Sequence, residues 1–140
     1  ITNIYEHSDF STAYVMAQEY PKLGFIEFCI VDNGISIPKS YENIGIVLEN
    51  DKVALEYALE GKSTKFIEGR GHGLRSSISL LTSGMDGKLL IISRKGGVCA
   101  NREGVRSFNI DEKDIYEGTL ISINVPFQER RLNLYDYLPT

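Results

Sequence analysis

Gly69-Arg70-Gly71-His72-Gly73-Leu74 sets three alternating glycines directly before a run with helical spacing, Leu74 to Ser83, in which Leu74, Ile78 and Leu81 mark one face and Gly84 marks the end. Glycine permits close backbone approach and positive φ. A helix behind it offers unpaired N–H groups and the positive end of its dipole, so the segment suits phosphate oxygens. The plain alternative is a flexible loop. Two commoner phosphate motifs do not fit. A dinucleotide fingerprint needs glycine at the sixth position, which here is Leu74. A P-loop ending at Gly61-Lys62-Ser63 needs its leading glycine at Glu56, inside a helical pattern.

Upstream, Asp51 to Glu60 reads as a helix closed by Gly61, with Val53, Tyr57 and Glu60 on one side and Ala54 and Ala58 beside them. Lys62 to Arg70 is polar and reads as mobile. Ser36 to Glu49 suggests some helix around Tyr41 to Leu48. Ala13 to Tyr20 and Phe25 to Val31 are β-rich flanks of the turn Pro21-Lys22-Leu23-Gly24, a hairpin whose second strand runs into Asp32-Asn33-Gly34. Ile1 to Ser8 reads as the last turns of a helix with no cap of its own.

Downstream, Lys88 to Ser93 reads as a strand followed by a turn at Lys95-Gly96-Gly97. Val98 to Asn101 and Val105 to Ile110 read as short strands around Glu103-Gly104, and Thr119 to Val125 as a last strand closed by Pro126. This order predicts an α+β two-layer sandwich: one mixed, mostly antiparallel sheet with helices on one face. Residues 1–128 form the expected domain, and 129–140, with Arg130, Arg131, Tyr135 and Tyr137, a separate tail.

Of 140 residues, 42% are hydrophobic and 24% charged, enough apolar material for a real core. The net charge of −4 argues against a nucleic-acid surface, while leaving room for a local basic pocket. Cys29 and Cys99 lack metal-type spacing and read as reduced thiols of a cytoplasmic protein. No stretch has the length and apolarity of a membrane span, and no signal peptide is visible.

Four segments together resemble the GHKL, or Bergerat-fold, ATPases, whose members include gyrase, heat-shock chaperones and histidine kinases. Asn3-Ile4-Tyr5-Glu6-His7-Ser8 is similar to the family's Asn box. Asp32-Asn33-Gly34-Ile35-Ser36 is similar to the first glycine box, Asp-x-Gly-x-Gly. Gly69 to Leu74 resembles the second, and Gly118-Thr119 the final Gly-Thr box. They stand in the family's order and span nearly the whole chain.

The resemblance implies ATP and Mg²⁺ as ligands. Asn3 would ligate Mg²⁺, a hard cation that takes oxygen donors. The Asp32 carboxylate would accept a hydrogen bond from the adenine amine, selecting ATP over GTP, whose corresponding group is a carbonyl. Gly34 would let the chain turn close beneath the base, with Ser36 in the same loop where the family has a second glycine. Gly69, Gly71 and Gly73 would hinge a lid and meet the phosphates, Leu74 anchoring the helix behind. Lys65 or Arg70 would reach the γ-phosphate, and Thr119 would support Asp32 directly or through water. His7 either packs near the nucleotide or is a satisfied helix-end histidine. His72 reads as a solvated loop residue, and Tyr5, Tyr14 and Phe28 as core. Each site residue has a bland counterpart: Asn3 an ordinary helix-surface residue, Asp32 a cap of its own turn, Thr119 a β-former.

Two departures bear on chemistry. Glu6 puts a negative charge where sensor kinases often carry Lys. The family's water-activating Glu falls one helical turn before Asn3, a position that precedes Ile1. The only histidines lie inside the nucleotide boxes, so histidine autophosphorylation in cis is not supported. The compact format is similar to small bacterial stand-alone ATPase-like proteins, anti-sigma-factor serine kinases among them. Two functions stay open. One is a regulatory Mg-ATP module that phosphorylates a partner protein in trans. The other is a signalling domain that binds nucleotide only as a switch.

Overall fold

A computed structural model describes residues 12–60, 73–111, 113, 115–128 and 136. The predicted hairpin is present: β1 (Ala13–Tyr20) and β2 (Phe25–Asp32) pair in register from Ala13 opposite Asp32 to Tyr20 opposite Phe25. The turn closes where the Leu23 and Gly24 N–H groups both donate to the Tyr20 carbonyl, at 3.1 and 2.8 Å. Gly24 sits at φ +79°, a conformation glycine adopts without strain. Tyr20 and Phe25 stack across this end with ring centroids 4.8 Å apart.

The next element is α1 (Ile37–Asn43). It begins four residues before the stretch that reads as helical in sequence and ends before Ile44. Pro38 in the first turn and the Ser36 hydroxyl, which accepts from the Lys39 N–H at 3.2 Å, define its start. Gly45 at φ +82° lies just past its end. Helix α2 (Asp51–Leu59) starts at Asn50, whose side chain accepts from the Val53 N–H at 2.9 Å. Its buried residues are Asp51, Ala54 and Leu55. The face marked by Val53 and Tyr57 is only partly covered, and Tyr57 meets Tyr41 edge-on with centroids 5.2 Å apart. Helix α3 (Gly73–Ser79) passes without a break into a π-helical turn, Leu80–Gly84, where the Met85 N–H reaches back to the Leu80 carbonyl.

Four strands follow: β3 (Lys88–Arg94), β4 (Gly96–Asn101), β5 (Gly104–Asn109) and β6 (Tyr116–Pro126). Gly96 and Gly97 belong to β4, where a turn is predicted from sequence. The reversal falls on Arg94 and Lys95, with Arg94 at φ +53°. The sheet order is β1-β2-β6-β3-β4-β5 and every pairing is antiparallel, so the mostly antiparallel expectation holds with no parallel pair among the described residues.

Because side chains alternate across a strand, these registers sort the sheet into two faces. Leu89, Ile91 and Ser93 of β3 share a face with Ile123, Ile121 and Thr119 of β6, and with Ala100 and Val98 of β4. The helices pack on this face, chiefly over β3, β4 and β5. The core is Leu55, Ile78, Leu89, Ile91, Val98 and Ala100, flanked by Ile37, Leu59, Leu81, Ile121 and Ile123. The result is the predicted α+β two-layer sandwich. Tyr14 and Phe28, expected in the core, are instead 65% and 38% exposed, because the hairpin lies at the far edge from the main helix contacts. Cys29 and Cys99 are unpaired and half-buried.

A charged clamp ties α1, α2 and the β3–β4 reversal together. The Arg94 guanidinium donates to Asp51 through Nε at 2.8 Å and Nη2 at 2.6 Å, and to Glu42 at 2.6 and 3.2 Å. The Lys95 N–H adds a bond to Asp51 at 2.9 Å. Burial pushes the Asp51 carboxyl upward, but these partners outweigh it and hold the group below its usual range. Gly96 is required here: a β-carbon on it would lie 2.6 Å from the Asp51 carbonyl oxygen.

Candidate functional site

The strand ends of β2, β6 and β3 meet the start of α1 in a small buried polar cluster. Asp32 and Ser36 are each 2% exposed, Ser93 0% and Thr119 8%. Asp32, Thr119 and Ser93 lie side by side on the helix-covered face, since Asp32 pairs with Thr119 and Thr119 with Ser93.

Asp32 is the last residue of β2, and its Oδ1 accepts from the Gly34 N–H at 2.9 Å. The Thr119 N–H also supports the carboxylate. The turn-capping role weighed from sequence is therefore present. Burial raises the Asp32 pKa above the ordinary carboxylate value, and the two backbone donors only partly offset it. Asn33 closes the other side of the turn: its side-chain oxygen accepts from the Thr12 N–H at 2.8 Å.

Gly118 is the tightest glycine of the fold's described part. Between Ser93 and Arg94 the β3–β6 register shifts, leaving Glu117 and Gly118 out of step with β3. This presses Gly118 against the end of β2, so that a β-carbon would stand 1.8 Å from the Asp32 carbonyl oxygen. Tyr116, just before the shift, donates its hydroxyl to that same carbonyl at 2.6 Å. The Gly-Thr pair thus has a physical reason: the glycine permits the approach, and the threonine supplies the amide that holds the carboxylate.

Ser93 links the cluster to the helix layer. Its Oγ accepts from the Ile37 N–H at 2.8 Å, lies 2.9 Å from Thr119 Oγ1 and 3.4 Å from the Gly118 carbonyl. Nothing in the sequence pattern singles out Ser93; it reads as the last residue of a strand. The Ser36 hydroxyl is engaged as the cap of α1.

Among the sequence-identified residues, the structure brings together Asp32, Gly34, Ser36 and Thr119. Gly73 and Leu74 open α3. Asn3, His7, Lys65, Gly69, Arg70 and Gly71 lie outside the described residues, as do Tyr5, His72, the segment Lys62 to Arg70 and nearly all of the tail. Among the described residues no cluster of three or more His, Cys, Asp or Glu side chains could hold a metal ion, and no helix is long and apolar enough to cross a membrane.

Two shallow open cavities lie among the described residues, one beside the cluster and one at the other end of the sheet. One, of about 280 Å³, is lined by Thr12, Tyr14, Val31, Asp32, Asn33 and Tyr116. Tyr14 and Val31 pair with each other, one residue away from the Asp32 position, so they face the opposite side of the sheet from the Asp32 carboxylate. The other, of about 220 Å³, lies between Leu59, Glu60, Arg75, Ile78 and Val105.

No known protein-family model matches the chain, and no curated protein matches it.

Proposed function

We propose that this chain is a regulatory Mg-ATP-binding module of the GHKL type that passes the γ-phosphate to a partner protein in trans. The observation that carries the reading is the buried Asp32 carboxylate at the end of β2, fixed by the Gly34 and Thr119 amides beneath the close approach of Gly118. A carboxylate withdrawn from water this far seeks donors, and two backbone amides leave acceptor capacity on its oxygens. The adenine amine supplies a matching donor. A guanine or hypoxanthine carbonyl in the same place would set oxygen against oxygen.

The described residues fit the base end of the nucleotide. Asp32 would accept from the amine, Thr119 would hold Asp32 in place, and Gly34 would keep the turn narrow. Asn3 as the magnesium ligand and Gly69, Gly71 and Gly73 as the phosphate-facing hinge enter the proposal from the sequence. Mg²⁺, when bound, neutralises charge on the phosphate oxygens. Such a site works by position and electrostatics, with little covalent chemistry demanded of the protein.

A nucleotide switch without transfer is the second reading. It is suggested by the π-helical turn at Leu80–Gly84, since single π turns in helices are frequent at functional sites. Incubating the full protein with ATP labelled on the γ-phosphate, in the presence of candidate regulatory proteins, separates the two. Label transferred to a protein supports the kinase. Nucleotide-dependent association without transfer supports the switch.

A further inference from the structure

We infer that Ser93 is a positioning residue for the base-reading end of this site, acting through Thr119 to set how strongly the pocket prefers adenine over a purine with a carbonyl at the same position. The inference rests on the nucleotide reading above and names the residue that determines its specificity.

Ser93 is fully buried, and its hydroxyl joins its own strand to two other elements, the start of α1 and β6. One lone pair takes the Ile37 N–H at the start of α1. The hydroxyl also faces Thr119 Oγ1 at 2.9 Å, a normal O–H···O length, while the Gly118 carbonyl at 3.4 Å is a poor acceptor by comparison. The short contact therefore dominates and locks the Thr119 side chain. Thr119 is in turn the residue whose amide supports the Asp32 carboxylate. A single hydroxyl thus couples the helix layer, the end of β6 and the carboxylate that would read the base.

Removing that hydroxyl leaves the Thr119 side chain without its partner and the Ile37 amide without its acceptor. Thr119 is then free to change rotamer at the point where its own backbone holds Asp32. Discrimination between bases depends on that placement, because it contrasts a made hydrogen bond with an oxygen–oxygen clash. Overall affinity, carried largely by the phosphates, responds less.

The test uses calorimetric binding of ATP and of inosine triphosphate, which carries a carbonyl in place of the amine, to the full chain. Ser93→Ala should lower the ATP-to-inosine-triphosphate affinity ratio about tenfold while the protein stays folded. Thr119→Val, which exchanges the hydroxyl for a methyl of similar size, should lower it similarly, and the double variant should fall no further than either single one. If Ser93→Ala does not fold, Ser93→Cys, with a much weaker hydrogen-bonding group of similar size, decides the point by the same ratio. An unchanged ratio in Ser93→Ala or Ser93→Cys, or losses that multiply in the double variant, overturns the role of Ser93. Asp32→Asn distinguishes the two levels. If it abolishes the preference while the Ser93 variants keep it, only this inference fails; if it leaves ATP affinity unchanged, the nucleotide reading fails with it.

Discussion

Gly118→Ala is the most demanding local perturbation the fold offers. The added β-carbon would stand 1.8 Å from the Asp32 carbonyl oxygen, 2.8 Å from its carbonyl carbon and 3.1 Å from the Asn33 Cα. All three are backbone atoms, so no flexible side chain can move aside. Relief requires β2 and β6 to part by roughly an ångström at the Asp32–Thr119 pair, a displacement that overpacking of this kind penalises by about 1–3 kcal/mol. It also stretches the Thr119 amide away from the carboxylate and the Tyr116 hydroxyl away from the Asp32 carbonyl, each worth about 1 kcal/mol. The expected loss is about 3 kcal/mol or more, which for a domain of this size lowers the melting temperature by roughly 9 °C. Urea unfolding measures it. Gly45→Ala is the control: it also strains the backbone, at φ +82°, but a β-carbon there meets nothing within 4 Å. Its loss should be about 1 kcal/mol. Equal urea midpoints for Gly118→Ala and the wild type would refute the claim that the Gly-Thr pair is set by this close approach.

Other consequences follow from the core and the charged clamp. Leu55→Ala, at one of the most buried side chains, should lose about 3 kcal/mol in urea unfolding. Arg94→Met should lose about 2 kcal/mol, since it strands the nearly buried Asp51, while solvent screening at the 25% exposed Arg94 side chain limits the loss. The clamp also sets a pH dependence. Arg94 holds Glu42 and Asp51 below their ordinary values of 4.5 and 3.8. A carboxylate lowered on folding stabilises above its unfolded value and loses that contribution as pH falls. Wild-type urea midpoints should therefore drop between about pH 5 and pH 3, and Arg94→Met should flatten the drop. Asp32 works in the opposite sense: its raised pKa makes the ionised form a cost to folding that protonation relieves. Asp32→Asn should remove this opposing contribution and steepen the acid-side fall relative to wild type.

The parts legible in the sequence are those governed by local patterning. Alternation in Phe25 to Val31, the Pro21 to Gly24 turn and the run into Asp32-Asn33-Gly34 give the hairpin and its exit. Asp51 to Glu60 and the late strands are similarly local. What escaped the sequence depends on partners far along the chain. Arg94 is an ordinary strand-end arginine until Asp51 and Glu42 are brought beside it. Gly96 and Gly97 look like a turn, yet both lie in β4, and Gly96 is glycine because α2 leaves no room for a β-carbon. The helix read around Tyr41 to Leu48 starts instead at Ile37, because the cues that set it are Ser36 and Pro38, a cap and a first-turn proline. Asp32 and Thr119 were found as motif members, but the register shift that brings Gly118 onto Asp32 has no local signature. Ser93 carried no signal because its role arises only where three elements converge.

The central claim is that Asp32 reads an adenine, and calorimetric titration of the full chain with ATP in the presence of Mg²⁺ measures it directly. The wild type should bind, and Asp32→Asn should keep the fold by circular dichroism while losing about a hundredfold in affinity. Absence of ATP binding by the wild type, or equal affinity in the folded variant, would contradict the assignment.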